Sequence, residues 1–265
     1  MSTSLGIPSL RKYNQFRLMP VGIMRWIYIS PHFDDAVLSC GGLIWEQAQK
    51  GLPVEIWTIC AGDATPGRLS LLAVECHKQW GIKSAREVVA ARRRENQAAA
   101  RQVGAETVDF SIPDCIYRRS PSGDVLYPAE VFAPIDPIEQ GLDAEISAAL
   151  ASELQPGDKV VSPLAIGGHL DHELTRRAAE RLDCSLWYYA DIPYLINHPE
   201  MLTPATKGLR GTRYTVSEKG LEVWQKGISA YDTQILMLFK TTNRMRKAIH
   251  LYWESRRGIR LWRRA

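Results

Sequence analysis

The sequence lacks the features of disulfide-stabilised, membrane-spanning and secreted proteins. Its five cysteines are odd in number and widely separated, and no two of them form a C-x-x-C pair of the kind that structural zinc sites use. The apolar runs are far shorter than the roughly 20 residues that a membrane span needs. The N-terminal arm has no apolar stretch followed by a small-residue cleavage site. We therefore predict reduced thiols, no transmembrane helix, no secretory signal and a cytoplasmic location.

Charge is unevenly distributed along a chain of otherwise ordinary globular composition. The net charge is +4, and residues 236–265 carry nine Lys or Arg against one acid, Glu254, which leaves −4 for the remainder. We predict that residues from about 215 to 265 form a basic helical segment. Apolar residues between the arginines would allow contact with an anionic membrane surface, but we favour a solvated closing helix. No nucleic-acid partner is expected, and the oligomeric state is left open.

Strand and helix patterns alternate through most of the chain. Short runs rich in β-branched and aromatic residues predict strands at 25–30, 54–60, 108–112, 159–164 and 185–190. Runs with helix-forming composition predict helices at 36–50, 88–103, 138–154 and 173–182. This alternation is typical of an α/β fold with a doubly wound, Rossmann-like, mostly parallel sheet flanked by helices. We predict a single domain over residues 1–265, with its core at about 25–195.

Two stretches have no readable periodicity. Residues 63–90 have the composition of loops and caps, and residues 117–137 contain five prolines or glycines that favour a long loop. Either stretch could cover a site and select its substrate.

Acidic and histidine side chains cluster directly after the first predicted strand. In open α/β sheets, ligands bind outside the carboxyl ends of the strands. A catalytic zinc site uses three protein ligands drawn from His, Asp and Glu, and leaves one position open. His32 and Asp35 can supply two ligands, and His172, which follows the fourth predicted strand, can supply the third. Asp34 could then take a proton from the metal-activated water.

A second histidine precedes His172 by three residues, so both rings could face one cavity from a single helical turn. If His169 were held in its protonated form, it could stabilise an oxyanion and protonate a leaving amine. Asp171 is a candidate carboxylate for orienting it. The alternative is structural: the Asp34–Asp35 pair, or Asp171, could simply cap the helix that follows. The coincidence of both motifs at strand ends favours the metal site.

At these residues the sequence resembles the PIG-L/LmbE-like family of zinc-dependent N-deacetylases. The family signature is His-Pro-Asp-Asp-Glu after the first strand and His-x-Asp-His after a later one. Residues 30–36 (SPHFDDA) and 169–172 (HLDH) match these motifs. The resemblance implies that His32, Asp35 and His172 bind Zn²⁺, that Asp34 is the general base, and that His169 is the acid or the oxyanion-stabilising group.

The resemblance covers about residues 25–195 and has two departures. Phe33 replaces the usual proline of the motif, and Ala36 replaces its glutamate. Neither is a ligand in the implied scheme, so the departures bear on the substrate side of the site. Positions Arg92 and Asp114 resemble substrate-binding positions of the family, although a surface arginine and a loop-capping aspartate are the structural alternatives.

Together, the motifs and the resemblance predict a zinc-dependent hydrolase that removes an N-acetyl or other acyl group from an amino sugar, a glycoside or a related small amide. A metal-dependent phosphoesterase is one alternative, since clusters of Asp and His also serve two-metal hydrolases. A non-catalytic sugar- or nucleotide-binding module is the other. The first strand-to-helix loop is acidic and lacks G-x-G-x-x-G, which argues against a pyrophosphate site.

Overall fold

The computed structural model describes residues 24–264, and the N-terminal arm in which we predict no secretory signal lies outside them. Seven strands form one sheet: β1 (Trp26–Ser30), β2 (Val54–Thr58), β3 (Glu106–Asp109), β4 (Lys159–Pro163), β5 (Ser185–Tyr189), β6 (Leu209–Thr215) and β7 (Gly258–Arg264). Within residues 24–264, ten helices surround it: α1 (Asp35–Gln49), α2 (Leu71–Trp80), α3 (Ala85–Val103), α4 (Leu142–Ala151), α5 (Leu170–Glu180), α6 (Tyr194–Asn197), α7 (Leu202–Ala205), α8 (Glu218–Ile228), α9 (Asp232–Phe239) and α10 (Thr242–Arg256). Short 3₁₀ turns lie at Cys115–Tyr117, Pro137–Glu139 and Pro199–Met201.

The first five strands are parallel and follow the predicted doubly wound arrangement. The strand order is β3-β2-β1-β4-β5-β7-β6, and β1 pairs in parallel with both β2 and β4. The chain therefore moves outward in one direction through β2 and β3, and in the other through β4 and β5. This reversal opens a crevice at the carboxyl end of β1, where such sheets bind ligands. The predicted fold class is confirmed.

Strand β7 lies between β5 and β6 and is antiparallel to both. The prediction of a basic helical segment at about 215–265 is therefore correct for α8, α9 and α10, and it is wrong for β7, which follows them. Ile259, Leu261 and Trp262 are buried in β7, and Trp253 is buried in α10. The apolar residues between the arginines thus belong largely to the core. Among the described residues, no helix is both long and apolar enough to cross a membrane.

Side chains of β1 alternate between the two faces of the sheet, as extended strands require. Tyr28 packs in a large cluster with α1, α8 and α10, whereas Ile27 and Ile29 pack on the other face with α4 and α5. A third cluster holds Phe33 together with residues of α2 and of the loop after β3. Both faces of β1 are covered, so its carboxyl end is held rigidly.

One of the two unreadable stretches contains regular structure. Within residues 63–90, helix α2 begins after Ser70, whose hydroxyl accepts a hydrogen bond from the Ala73 backbone N–H, and ends at Gly81 with φ +71°. The other stretch, residues 117–137, is irregular apart from its terminal turns and an isolated bridge between Arg119 and Val125. The long loop is therefore confirmed there, and the loop interpretation of residues 71–80 is wrong.

Candidate metal and active site

The site is assembled from the carboxyl ends of three neighbouring parallel strands. His32 follows β1, and Asp35 is the first residue of α1. His172 lies in the first turn of α5, which follows β4, and Asp191 follows β5. Because β1, β4 and β5 are adjacent and parallel, these side chains converge although they are far apart in the sequence. All four residues are buried.

The three predicted ligands face one another. Asp35 Oδ2 lies 3.3 Å from His32 Nδ1, and Asp35 Oδ1 lies 3.4 Å from His172 Nε2. One ligand atom from each of the three residues lies within 4.8 Å of the other two. The main-chain N–H of His32 also donates to Asp35 Oδ2 over 2.8 Å, which ties the carboxylate to the loop before it. The sequence motifs therefore meet in space as predicted.

In each of the two candidate ligand histidines, the second ring nitrogen is held by a buried carboxylate. His32 Nε2 lies 3.0 Å from Asp171 Oδ2, and His172 Nδ1 lies 2.7 Å from Asp191 Oδ1. Since an ionised carboxylate only accepts hydrogen bonds, these two nitrogens carry the hydrogens in the neutral imidazoles. His32 Nδ1 and His172 Nε2 are then left with lone pairs directed towards Asp35, which is the arrangement that metal-ligating histidines adopt in proteins.

The electrostatics of the cluster favour a cation. Burial opposes a charge on His32, but Asp114, Asp171 and Asp35 outweigh it and raise the pKa of His32 well above its usual value. Burial likewise opposes ionisation of Asp35, but His172 and His32 outweigh it and lower the pKa of Asp35. The same negative field that holds protons on the imidazoles would attract a metal ion in their place.

The donor set fits zinc. Two imidazoles and one carboxylate are a common ligand set for catalytic Zn²⁺, and ligand bonds of about 2.0–2.1 Å at tetrahedral angles place donor atoms about 3.3 Å apart. The observed separations of 3.3 and 3.4 Å agree with that spacing. We identify His32, Asp35 and His172 as the candidate metal ligands.

Two other groups of donors are also compact, and both include Asp171. They are the sets His32–His169–Asp171 and Asp114–Cys115–Asp171. Asp171 Oδ1 already lies 2.6 Å from Arg118 Nη1, and Oδ2 accepts a hydrogen bond from the Cys115 backbone N–H while facing His32. The cationic guanidinium of Arg118 beside Asp171 disfavours a metal ion there. The set His32–Asp35–His172 is therefore the better candidate for a metal site.

Asp34 lines the same pocket as Asp35 and is held by an arginine. Arg92 Nη2 donates to Asp34 Oδ1 over 3.1 Å. The Asp34 side chain makes no capping bond to α1, and Ser30 Oγ instead accepts from the Ala36 N–H over 3.0 Å. Burial and the neighbouring Asp35 raise the pKa of Asp34, while Arg92 opposes the shift. The helix-capping interpretation of Asp34 is therefore not supported, and a carboxylate with raised proton affinity faces the site.

Arg92 and Asp114, predicted to bind substrate, both line the pocket and contact each other. Arg92 Nη1 donates to Asp114 Oδ2 over 3.3 Å, and the guanidinium lies 5.0 Å from the centre of the Trp80 ring. Arg92 is buried, so the alternative of a surface arginine is wrong. Asp114 Oδ1 also accepts from the Ile116 N–H over 3.3 Å, so this residue caps a turn as well as lining the pocket.

His169 begins α5 and lies beside His32 with ring centroids 4.8 Å apart. The Asp171 backbone N–H donates to His169 Nδ1 over 3.2 Å, so the neutral ring carries its hydrogen on Nε2. Burial and the nearby imidazoles of His32 and His172 lower the pKa of His169 well below its usual value. The protonated form that we predicted is thus disfavoured. The Asp171 carboxylate orients His32 rather than His169, which corrects its predicted partner.

A pocket of about 370 Å³ opens above these groups. Its floor is polar, and its walls are largely apolar side chains of α2, of α9 and of the predicted substrate-side loop. These wall residues are Leu72, Cys76, Trp80, Val131, Phe132, Met237 and Leu238. Phe132 is 54% exposed and lies 6.0 Å from the His169 ring. Phe33 and Ala36, where the family motif lapses, are not among the lining residues.

Sequence reasoning missed two groups that hold the site together. Asp191 fixes His172, and Arg118 fixes Asp171. Asp191 could have been found by the rule that located the other residues, since it follows a parallel strand. Arg118 lies in the long loop and has no local signal.

Comparison with known proteins identifies relatives of this chain. The profile of the PIG-L family, described as GlcNAc-PI de-N-acetylase, matches residues 27–182, which is more than half of the chain. A 2'-N-acetylparomamine deacetylase from Niallia circulans is 28% identical over 267 residues, covering 90% of this chain and 93% of the relative.

Solved structures of similar proteins extend the likeness to the whole described fold. A zinc-inhibited form of a teicoplanin deacetylase is 27% identical with a TM-score of 0.76, covering 90% of this chain and 97% of that chain. A complex of a deacetylase with teicoplanin is 25% identical with a TM-score of 0.74 and the same coverage.

Proposed function

Because this chain belongs to the PIG-L family of de-N-acetylases, we propose that it is a zinc-dependent hydrolase that removes an N-acetyl or related acyl group from an amino sugar or glycoside. The chain is an enzyme that cleaves C–N amide bonds, as its motifs predicted. The convergence of His32, Asp35 and His172 within 4.8 Å, next to Asp34, carries the proposal. No observation specifically favours the phosphoesterase or the non-catalytic binding module.

His32 Nδ1, an oxygen of Asp35 and His172 Nε2 would hold the metal. When bound, a zinc ion supplies Lewis-acid chemistry, since it polarises the amide carbonyl and lowers the pKa of water. Asp171 and Asp191 keep the two imidazoles in the tautomers that this binding requires.

Asp34 is the proposed general base. It is adjacent in sequence to the proposed ligand Asp35 and lines the pocket, and Arg92 Nη2 donates to its Oδ1 over 3.1 Å. During hydrolysis the water oxygen bonds to the amide carbonyl carbon while the water proton passes to Asp34. The C–N bond then breaks and a proton reaches the leaving nitrogen, which gives a carboxylic acid and a free amine. Asp34 can return the proton that it accepted, so the step balances without another acid.

His169 is the proposed oxyanion-stabilising residue. Its Nδ1 is occupied by the Asp171 backbone N–H, which leaves Nε2–H as the hydrogen-bond donor of the neutral ring. A fixed donor aimed at the developing negative charge stabilises the tetrahedral transition state without reorganisation. Arg92 and Asp114 supply further polar groups at the pocket wall for the substrate.

The relatives support an amino sugar or glycoside as the substrate class. Their names specify acetylated paromamine and teicoplanin. A pocket with an open mouth, a polar floor and apolar walls suits a sugar amide that carries a larger group. The metal-loaded protein should therefore be screened for acetate release from N-acetylated amino sugars and their glycosides, at one equivalent of zinc and at excess zinc.

Asp34→Asn provides the most direct test of the mechanism. The variant keeps the shape of the side chain but cannot accept a proton, so we expect kcat to fall by about 10²–10⁴-fold. Elemental analysis should still find one zinc per chain, because Asp34 is not a ligand. Asp143→Asn on α4, outside the pocket, is the control and should keep wild-type kcat. Undiminished turnover by Asp34→Asn, or a metal-replete wild type without zinc, would overturn the proposal.

A further inference from the structure

Arg118 is a buried arginine that the proposed chemistry does not use. It is 4% exposed and is absent from the residues that line the pocket. Its Nε lies 2.8 Å from Glu139 Oε1, and its Nη1 lies 2.6 Å from Asp171 Oδ1. Taking three charged groups out of water costs several kcal/mol per ion unless they are well paired. The cost of burying this cluster indicates that Arg118 and Glu139 hold the Asp171 carboxylate in a specific position.

The carboxylate of Asp171 connects Arg118 to the metal site. Arg118 contacts Oδ1, while Oδ2 faces His32 Nε2 at 3.0 Å and accepts the Cys115 N–H over 3.0 Å. Asp171 is fully buried, and Arg118 together with the Cys115 N–H holds its carboxylate in one position. The carboxylate held in this way accepts the Nε2–H of His32, so that His32 Nδ1 is presented to Asp35.

The other side of Arg118 is clamped by the long loop. The guanidinium lies 5.4 Å from the centre of the Tyr127 ring, and Tyr127 Oη donates to Glu139 Oε2 over 2.5 Å. Tyr127 Oη also accepts from the Asp136 N–H over 2.8 Å. Residues of the long loop thus hold Glu139 and the plane of the Arg118 guanidinium in place. The guanidinium in turn contacts Asp171.

We propose that Arg118 is a positioning residue for the metal site, which acts through Asp171 to set the tautomer and orientation of the ligand His32. The inference rests on the proposed function only through the identity of His32 as a ligand. Loss of an outer partner of a metal-ligating histidine typically weakens metal binding by about 10–100-fold.

Arg25 provides a matched control, because it lies at the amino end of β1 and His32 lies after the carboxyl end. Arg25 is also buried between two carboxylates, with Nη2 lying 2.5 Å from Asp158 Oδ2 and Nη1 lying 2.9 Å from Glu55 Oε1. It precedes the amino end of β1, whereas His32 follows its carboxyl end, and five strand residues span roughly 17 Å. Removing this charge breaks an equally buried network without touching the metal site.

The experiment measures the zinc dissociation constant of the full chain by competition with a chromogenic chelator. Arg118→Gln should weaken zinc binding about 10–100-fold, and Arg118→Lys, which keeps the charge, should recover a large part of the loss. Arg25→Gln should lower the thermal midpoint but leave the zinc dissociation constant within about twofold. If Arg118→Gln does not fold, Arg118→Lys carries the test, with an expected loss of about threefold or more because it lacks the fork geometry of arginine.

A double-mutant cycle with Asp171→Asn separates positioning from general destabilisation. If Arg118 acts through Asp171, the double variant should bind zinc about as weakly as Asp171→Asn alone. Additive losses, an Arg118 variant with wild-type zinc affinity, or an equal loss in Arg25→Gln would overturn the inference. Failure of the proposed function is distinguishable, because it would appear as no zinc binding or no acetate release by the wild type.

Discussion

The two histidines proposed as metal ligands are each fixed by a carboxylate on the ring nitrogen that faces away from Asp35. His172 donates from Nδ1 to Asp191, whose second oxygen accepts the Ile166 N–H over 2.9 Å. Asp191 is therefore held by the main chain after β4 while it holds a residue of α5. A histidine ring with one nitrogen fixed in this way loses little rotational freedom when it binds a metal.

We expect Asp191→Asn to weaken zinc binding by about 10–100-fold. The amide can accept from only one of the two donors that share the carboxylate, and its NH₂ group would face the other donor. The chelator competition assay gives the affinity, and kcat at saturating zinc should fall less than the affinity does. Asp109→Asn, a buried aspartate on β3 away from the histidines, should keep wild-type zinc affinity. Equal affinity loss in both variants would contradict a specific role for Asp191.

At the scale of secondary-structure elements, α1 owes its position to two glycines that face α8. A Cβ atom on Gly41 would lie 2.6 Å from Trp224 Cδ1, and one on Gly42 would lie 2.8 Å from Val216 Cγ1. Trp224 is fully buried, and its Nε1 donates to the Val37 carbonyl over 2.8 Å, so it cannot easily move aside. Because α1 begins with Asp35, this packing also positions a proposed metal ligand.

Gly41→Ala should therefore destabilise the protein although alanine is the better helix former. The propensity gain is about 1 kcal/mol, whereas overpacking a close-packed interface costs about 1–3 kcal/mol. We expect the free energy of unfolding in urea to fall by about 1 kcal/mol. Gln49→Ala, at an exposed position of the same helix, should change it by less than about 0.5 kcal/mol. A stabilised Gly41→Ala would show that α8 moves freely against α1.

Local sequence patterns predicted the parallel strands well because each strand is a short apolar run between turn signals. Helix α2 was missed because its apolar residues are mixed with charged ones on a partly exposed face. Strands β6 and β7 were missed because arginines interrupt them and their pairing joins residues about fifty positions apart. The convergence of the two histidine motifs was predictable because each follows a strand of the parallel sheet. The role of Arg118 was not predictable because it depends on a contact with Asp171, which is distant in the sequence.

At the scale of the whole molecule, buried charge rather than net charge governs how stability responds to pH. Asp109 in β3 is fully buried, and its Oδ2 lies 3.1 Å from Arg93 Nε. Among the described residues its Oδ1 has no hydrogen-bond partner. Burial raises the pKa of Asp109 to about 6 from the usual 3.8, and Arg93 only partly opposes this shift.

The sign of the resulting pH effect is opposite to that of a salt-bridged surface aspartate. Between pH 3.8 and about 6 the folded state binds more protons at Asp109 than the unfolded state does, so this group's contribution to the free energy of unfolding falls as pH rises. With about 1.4 kcal/mol per pKa unit, the loss is at most about 3 kcal/mol. Asp109→Asn cannot titrate, so its stability relative to the wild type should rise between pH 4 and pH 7 in urea unfolding experiments. A difference that stays flat or decreases over this range would show that Arg93 keeps Asp109 ionised in the folded state.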